Sequence, residues 1–165
     1  MFYFRVEIFN FKIVELVIKA AIYEYNKFCL FVETLFLHMI LPILVIAPSE
    51  KGDNGVFTTT KIKANTIVEI SPVIVMPKKD KKYLDDTFLY NYIFMWGEKK
   101  KQVALGLGYI SMYNHSYQAN CEYQMDYTNN TMIIKTVRDI KKGEELFINY
   151  NGSCDDTTPI WFEAL

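Results

Sequence analysis

Residues 108–123 read GYISMYNHSYQANCEY, and residues 138–150 read RDIKKGEELFINY. The first segment contains an Asn-His-Ser run that begins at Asn114, and the second contains a Gly-Glu-Glu-Leu run that begins at Gly143 and leads to Tyr150. Each run alone has an ordinary structural explanation. Asn-His-Ser is typical of a loop that bonds its own backbone, and a glycine with two acidic residues is typical of a turn before a buried strand. The occurrence of both runs in one chain, in this order, calls for a single explanation.

A third segment lies earlier in the chain, where residues 51–57 read KGDNGVF. Two glycines, Gly52 and Gly55, precede a run of apolar residues typical of a strand. Glycine has no Cβ, so its backbone can come close to a ligand. Alone, the pair is explained equally well by a turn.

Taken together, the three segments resemble the SET-domain protein lysine methyltransferases. In that family a Gly-x-Gly turn precedes a short strand, Asn-His-Ser-x-x-x-Asn-Cys follows later, and Gly-Glu-Glu-Leu-x-x-x-Tyr closes the domain. The likeness covers roughly residues 43–150. The chain resembles the compact microbial or viral members of the family. Two features depart from it: residues 52–55 are Gly-Asp-Asn-Gly, one residue longer than the family turn, and the zinc-binding cysteine cluster of many histone-specific members is absent, with Cys154 alone nearby.

The resemblance implies a mostly β fold of the β-clip type, with several small sheets of short strands, one inserted helix and a pseudoknot-like crossing near the C-terminus. That crossing would bring the segments around Asn114 and Tyr150 into one site. We expect residues 1–38 to form an N-terminal helical extension, residues 39–152 to form the SET-like domain, and residues 153–165 to form a tail that closes the cofactor site.

Residue patterns independently favour short strands. Three β-branched or aromatic runs are bounded by Gly, Asn and Pro, and they are Gly55–Thr58, Thr66–Ile70 and Val73–Met76. Four further strands are predicted at Gln102–Leu105, Cys121–Asp126, Thr131–Thr136 and Leu146–Asn149. Asp80–Tyr92 has helical potential, and residues 11–27 carry an amphipathic helical pattern. Asn129-Asn130 predicts a hairpin turn, because Asn tolerates positive φ.

Residues 28–47 are harder to interpret. Their length alone would allow a membrane span. A central carboxylate at Glu33 costs about 2.5–3.5 kcal/mol on insertion scales, and Pro42 interrupts a helix. We therefore prefer a helix that ends near His38 and a buried strand over Ile43–Ala47, with a membrane-attached protein as the lesser alternative.

Composition limits the other classes of function. The chain has 165 residues, which indicates one domain with at most an appendage. Lys plus Arg is 18 and Asp plus Glu is 19, a net charge of -1 that does not favour general nucleic-acid binding. Three cysteines without a C-x-x-C pair predict free thiols in a reducing compartment, and two histidines exclude a three-histidine zinc site. We expect no metal and an intracellular location, cytoplasmic in a microbe or nuclear in a eukaryote or virus.

The resemblance also implies the cofactor and the site residues. The methyl donor would be S-adenosyl-L-methionine. The matching catalytic residues are Tyr150, near the transferring methyl, and Tyr123, in the lysine channel. The cofactor-binding residues would be Lys51, Gly52, Gly55, Asn114, His115, Tyr150 and Trp161.

The acceptor chemistry accounts for a tyrosine-rich channel. A lysine with a pKa of about 10.4 must lose a proton before it attacks, which costs about 4.6 kcal/mol at pH 7. A desolvated aromatic channel disfavours the ammonium and lowers that pKa.

The expected function is therefore protein-lysine N-methylation. The expected partner is a histone-like or other lysine-bearing protein, with no direct nucleic-acid contact, no membrane partner and a homodimer left open. The alternative is a non-catalytic SET-like binding module, which the extra residue in the glycine segment favours.

Overall fold

The chain divides into two compact units, Met1–Phe36 and Leu37–Leu165. A computed structural model describes residues 17–27 and 38–160. In the first unit, residues 17–27 form a helix, α1, in agreement with the predicted amphipathic helix, whose residues 11–16 lie outside the described part. No helix within the described residues is both long and apolar enough to cross a membrane. The boundaries predicted at residues 38 and 152 stay predictions.

The second unit is built mainly of short strands, which confirms the mostly β prediction. Its described strands are β1 (Met39–Ile40), β2 (Leu44–Ser49), β3 (Gly52–Thr58), β4 (Ile67–Pro77), β5 (Ile93–Trp96), β6 (Gln102–Gly106), β7 (Asn114–His115), β8 (Cys121–Asp126), β9 (Thr131–Thr136) and β10 (Glu145–Ile148). The inserted helix is α2 (Lys78–Leu84), and 3-10 turns cover Phe88–Tyr92 and Ile110–Met112.

These strands form two sheets. The larger has the order β5-β6-β4-β9-β8, with β1 also paired to β4, and the smaller has the order β2-β3-β10-β7. Neighbouring strands are antiparallel except for β7 and β10, which run parallel. The apolar side chains packed between these elements include fully buried Val56, Ile134 and Leu146. The chain thereby places the two C-terminal motif segments side by side.

Several local predictions match the structure. The bounds of β8 and β9 are those predicted from their apolar runs. Asn130 has a φ of 51°, as its predicted hairpin turn requires, and Gly143 has a φ of 80° in the turn before β10. Of the cysteines in the described part, Cys121 and Cys154 are free thiols, and burial raises the pKa of Cys121 to about 12.

The structure differs from the sequence prediction around Pro72. Two predicted strands form the single strand β4, because β4 changes partner there: residues up to Pro72 pair with β9, and residues from Val73 pair with β6. Proline lacks an N–H, but the carbonyl of Pro72 still accepts the N–H of Leu107 at 3.0 Å. The strand therefore continues through a residue that usually interrupts one.

The helix predicted over Asp80–Tyr92 is also divided. α2 ends at Leu84, whose carbonyl accepts both the N–H and the hydroxyl of Thr87 at 2.8 Å. This local capping separates α2 from the 3-10 turn at Phe88–Tyr92.

The segment that contains α2 begins and ends at neighbouring points of the larger sheet. Pro77, the last residue of β4, pairs with Gln102, the first residue of β6. Residues 78–101 therefore leave the sheet and return to it at paired positions. We call this segment the insert.

Candidate active site

The predicted crossing is present where β7 lies beside β10. Asn114 is paired with Phe147 and His115 with Ile148, in parallel register. The pairing continues past β7, where the N–H of Ser116 donates to the carbonyl of Ile148 at 3.0 Å. Residues more than thirty positions apart in sequence are thus adjacent in space.

The side chain of Asn120 also binds β10 at this crossing. Its side-chain amide donates to the carbonyl of Glu145 at 2.7 Å and its side-chain oxygen accepts the N–H of Phe147 at 2.8 Å. The side chain is buried, so both hydrogen bonds are shielded from water. The asparagine of the Asn-Cys pair thus has a clear structural role.

Tyr150 follows β10 and is held at both ends. Its main-chain N–H donates to Nδ1 of His115 at 3.2 Å, and its hydroxyl donates to the carbonyl of Tyr113 at 3.0 Å. Burial, with a smaller effect of Tyr92, raises the pKa of Tyr150 to about 12. The phenol is therefore neutral at pH 7 and suited to donating a hydrogen bond rather than acting as a base.

Tyr123 lies beside Tyr150, as the resemblance implies. Its hydroxyl lies 3.5 Å from the carbonyl of Tyr150, and its ring meets Phe94 edge-on at a centroid distance of 5.9 Å. Burial raises the pKa of Tyr123. Both predicted catalytic tyrosines are thus neutral and partly buried at one place.

The two tyrosines face a cavity of about 590 Å³. Much of its wall comes from the insert, β5 included. The residue pattern of this segment matches no specific motif, whereas the resemblance implies that it helps to choose the substrate. These lining residues include Tyr90, Tyr92, Phe94 and Met95, with Met125 and Tyr127 from β8 and the turn after it. The lining also includes three charged residues, Lys81, Glu98 and Lys100. An aromatic wall with few charges suits a desolvated amine.

Asn114 and Gly55, two predicted cofactor residues, meet at β3. The side-chain amide of Asn114 donates to the carbonyl of Asn54 at 3.0 Å and to Oε1 of Glu145 at 2.8 Å. Ser49 donates its hydroxyl to Oε2 of the same carboxylate at 2.8 Å. A Cβ on Gly55 would lie 2.0 Å from Oε1 of Glu145, so this position requires glycine.

Glu145 was not selected from the sequence, where it was read as part of a turn into a buried strand. In the structure β10 begins at Glu145, one residue before the predicted strand Leu146–Asn149, so this carboxylate lies on the strand and not in the turn.

Lys51 and Gly52 lie at the hairpin between β2 and β3. The N–H of Lys51 donates to the hydroxyl of Ser49 at 2.9 Å, and Gly52 pairs with Ser49 across an irregularity at Pro48/Ser49. The Gly-Asp-Asn-Gly segment therefore runs as the start of β3 instead of as an open turn. Trp161 lies outside the described residues.

The site therefore has two parts that share Tyr150. The described cofactor candidates, Lys51, Gly52, Gly55, Asn114 and His115, do not line the cavity, whereas Tyr150 and Tyr123 do. No group of three or more potential metal ligands occurs within residues 17–27 and 38–160.

Comparison with known proteins gives consistent matches. The family model described as the SET domain matches residues 53–151. A Schizosaccharomyces pombe protein, named histone-lysine N-methyltransferase, H3 lysine-37 specific, is 38% identical over 121 residues, covering 73% of this chain and 77% of that protein. A Cryptococcus neoformans histone-lysine N-methyltransferase, H3 lysine-36 specific, is 32% identical over 111 residues, which are 62% of this chain and 13% of that protein.

Solved structures agree in fold. A Plasmodium falciparum protein assigned as a histone methyltransferase superposes with a TM-score of 0.53 at 32% identity, covering 67% of this chain and 95% of that one. A chain of the Chaetomium thermophilum Polycomb repressive complex 2 superposes with a TM-score of 0.58, covering 68% of this chain and 15% of that one, and at 19% identity it supports the fold alone.

Proposed function

The chain belongs to the SET-domain family and is a protein-lysine N-methyltransferase, and from that premise we propose that it uses S-adenosyl-L-methionine to methylate a lysine of histone H3. The observation that carries this proposal is the placement of Tyr150. It lies where β7 crosses β10, with its main chain on His115 and its hydroxyl on the carbonyl of Tyr113, and it faces the cavity together with Tyr123.

The cavity wall supports the acceptor half of the reaction. A lysine side chain that enters among Tyr123, Tyr92 and Phe94 exchanges water for aromatic surface, which favours loss of its proton to solvent. The neutral amine then presents its lone pair. The walls limit its directions of approach, and such orientation contributes several kcal/mol to the rate of a displacement reaction.

The residues near β3 fit the proposed methyl donor. One carboxylate, one amide and one imidazole, from Glu145, Asn114 and His115, lie on neighbouring strands close to the Lys51–Gly52 hairpin. An adenine edge and an amino-acid tail need such mixed donors and acceptors. When bound, S-adenosyl-L-methionine supplies an electrophilic methyl group on a positively charged sulfur. Asn114 and His115 would hold the cofactor, and the neutral Tyr150 would order the methyl-transfer point.

The proposed methyl transfer conserves charge. Transfer would join the amine nitrogen to the methyl carbon as the carbon–sulfur bond broke, and the positive charge would move from sulfur to nitrogen. The chain needs no strong base near the acceptor nitrogen, because the lysine proton leaves for solvent before transfer. This agrees with the raised pKa of Tyr150, which keeps its hydroxyl protonated.

Histone H3 is the substrate that the relatives favour. The two matched fungal enzymes carry names specifying H3 lysine 37 and H3 lysine 36. The Schizosaccharomyces pombe protein is covered over most of its length, which makes it the better guide. An intracellular location accords with the two free thiols of the described part.

A non-catalytic SET-like module is the second candidate. The observation that favours it is the strand geometry of Gly52–Asn54, where the family has a glycine turn. One experiment distinguishes an active methyltransferase from a non-catalytic module. The full chain is incubated with methyl-labelled S-adenosyl-L-methionine and, in parallel, with recombinant H3, H3 with arginine at lysines 36 and 37, and H4.

We expect label on H3 and its loss with the arginine substitutions. Cofactor binding by calorimetry without transfer to any protein would support the non-catalytic module, and label on H4 alone would reject the H3 assignment.

A further inference from the structure

Glu69 is a fully buried carboxylate near the start of β4. Its Oε1 accepts the hydroxyl of Ser71 at 2.6 Å and the N–H of Tyr109 at 2.8 Å, and its Oε2 accepts the hydroxyl of Tyr113 at 2.9 Å. Both oxygens of a carboxylate accept hydrogen bonds, so it can serve all of these donors. A side-chain amide in its place would direct its own N–H groups at one of the donors.

The chain is packed closely against this carboxylate. Gly108 has a φ of 67°, and a Cβ there would lie 2.6 Å from Oε1 of Glu69 and 2.4 Å from the hydroxyl of Ser71. The glycine is required both by its left-handed backbone and by the lack of space. The turn that leads to the Asn-His-Ser run is therefore fixed to β4 through Glu69.

Tyr113 links this cluster to the methyl-transfer site. Its side chain is 1% exposed and bonded to Glu69, while its main-chain carbonyl accepts the hydroxyl of Tyr150 at 3.0 Å. One residue thus joins the buried carboxylate to the catalytic phenol. The direction of the Tyr150 hydroxyl depends on where this carbonyl lies.

We propose that Glu69 is a positioning residue for methyl transfer, because its carboxylate anchors Tyr113 and the carbonyl of Tyr113 orients the hydroxyl of Tyr150. The inference rests on the proposed function for its kinetic consequence. Its structural consequence can be measured without turnover.

The kinetic test uses Tyr113→Phe, which removes the Tyr113 hydroxyl and keeps the ring and the main-chain carbonyl. We expect single-turnover transfer to fall about tenfold, with KM for H3 and cofactor affinity within twofold of wild type, since the change acts on the transition state. Tyr83→Phe is the matched control, because it removes an exposed hydroxyl outside the cavity wall.

A double-mutant cycle separates positioning from general loosening. In a Tyr150→Phe background there is no hydroxyl to orient, so adding Tyr113→Phe should cause no further loss. An equal tenfold loss in that background would overturn the proposal, and so would a wild-type rate in Tyr113→Phe alone. Glu69→Gln should reproduce the Tyr113→Phe kinetics, and serves as the test variant should Tyr113→Phe lower the folded fraction.

A second readout keeps the proposal independent of activity. The Tyr150 resonance in protein labelled at the tyrosine ζ carbon, assigned by its absence in Tyr150→Phe, reports the hydrogen bond of the phenol. We expect this resonance to move in Tyr113→Phe and to stay in place in Tyr83→Phe. An unmoved resonance in folded Tyr113→Phe would overturn the positioning role, whereas a moved resonance with no H3 methylation by wild type would instead reject the proposed function.

Discussion

The main-chain N–H of Tyr150 donates to Nδ1 of His115, thirty-five positions earlier in the chain, across 3.2 Å. An imidazole nitrogen can accept this bond only when it carries no proton. The acceptor at Nδ1 therefore disappears when the ring becomes an imidazolium. Burial lowers the pKa of His115, in keeping with a neutral ring in the folded protein.

The stability of the protein should depend on pH through His115. Its pKa is lower in the folded than in the unfolded state, so the unfolded state binds more protons as the solution is acidified. The stabilisation is present above the unfolded value of about 6.5 and is lost as pH falls towards the folded value. We expect urea-unfolding free energy to decline from pH 7 to pH 5, by at most about 1.4 kcal/mol per pH unit for one group.

His115→Asn should flatten that decline, and His38→Asn, which changes an exposed histidine, should not. The same acid slope in wild type and His115→Asn would contradict the assignment.

Tyr150→Phe should affect turnover more than folding. The substitution keeps the ring and removes the hydroxyl that bonds the carbonyl of Tyr113. Loss of about 2–4 kcal/mol of transition-state stabilisation would slow transfer roughly 30- to 1,000-fold. Single-turnover transfer at saturating cofactor measures this effect, with Tyr83→Phe as the control. A wild-type rate would remove Tyr150 from the mechanism.

Tyr123→Phe should change the number of methyl groups added. The hydroxyl of Tyr123 occupies space in the cavity wall beside Tyr150, and its removal makes room for a bulkier amine. Mass spectrometry of a lysine peptide after exhaustive reaction should show a shift towards higher methylation states. An unchanged distribution of products, with cofactor in excess, would place Tyr123 outside the amine pocket.

Asn114→Ala should weaken cofactor binding about ten- to a hundredfold, which corresponds to about 1–3 kcal/mol. Part of the loss would be indirect, because Asn114 also bonds the buried carboxylate of Glu145. Ser49→Ala isolates that part, since it removes the other side-chain donor to Glu145 and leaves Asn114 in place. Calorimetry should show a clearly larger loss for Asn114→Ala, and equal losses would assign the effect to Glu145 alone.

A protein that begins at Met39 should fold and bind the cofactor. The strands that form the site all lie between Met39 and Ile148, and the compact unit that contains them starts at Leu37. Circular dichroism and cofactor calorimetry on residues 39–165 test this expectation. A soluble, folded truncation without cofactor affinity would show that residues 1–38 contribute to the site.

The strand-rich character was predictable because its signals are local. β8 and β9 are short runs on either side of a turn, and Asn130 supplies the positive φ of that turn. β4 was predicted as two strands because Pro72 is a local signal for an ending. What keeps the strand continuous is pairing with two different partners, a tertiary effect that no sequence window contains.

The site was predictable to the extent that it lies in the motifs. Asn114, His115 and Tyr150 come together as the resemblance implied. Glu69 was missed because its partners Tyr109 and Tyr113 lie forty or more positions away, and a single glutamate in an apolar run carries no sign of them. The resemblance implied a role for the insert in substrate choice, but no sequence pattern showed that its aromatic side chains meet in one cavity wall.

The insert leaves β4 at Pro77 and rejoins β6 at Gln102, two residues paired with each other. Its ends are thus fixed by the sheet and not by its own length or composition. Doubling the length of a flexible closed loop costs only about 0.6 kcal/mol. The insert can therefore be lengthened, shortened or replaced without breaking the pairing of β7 with β10 that positions Tyr150. A change in the cavity wall that the insert supplies would likewise leave the pairing of β7 with β10 in place.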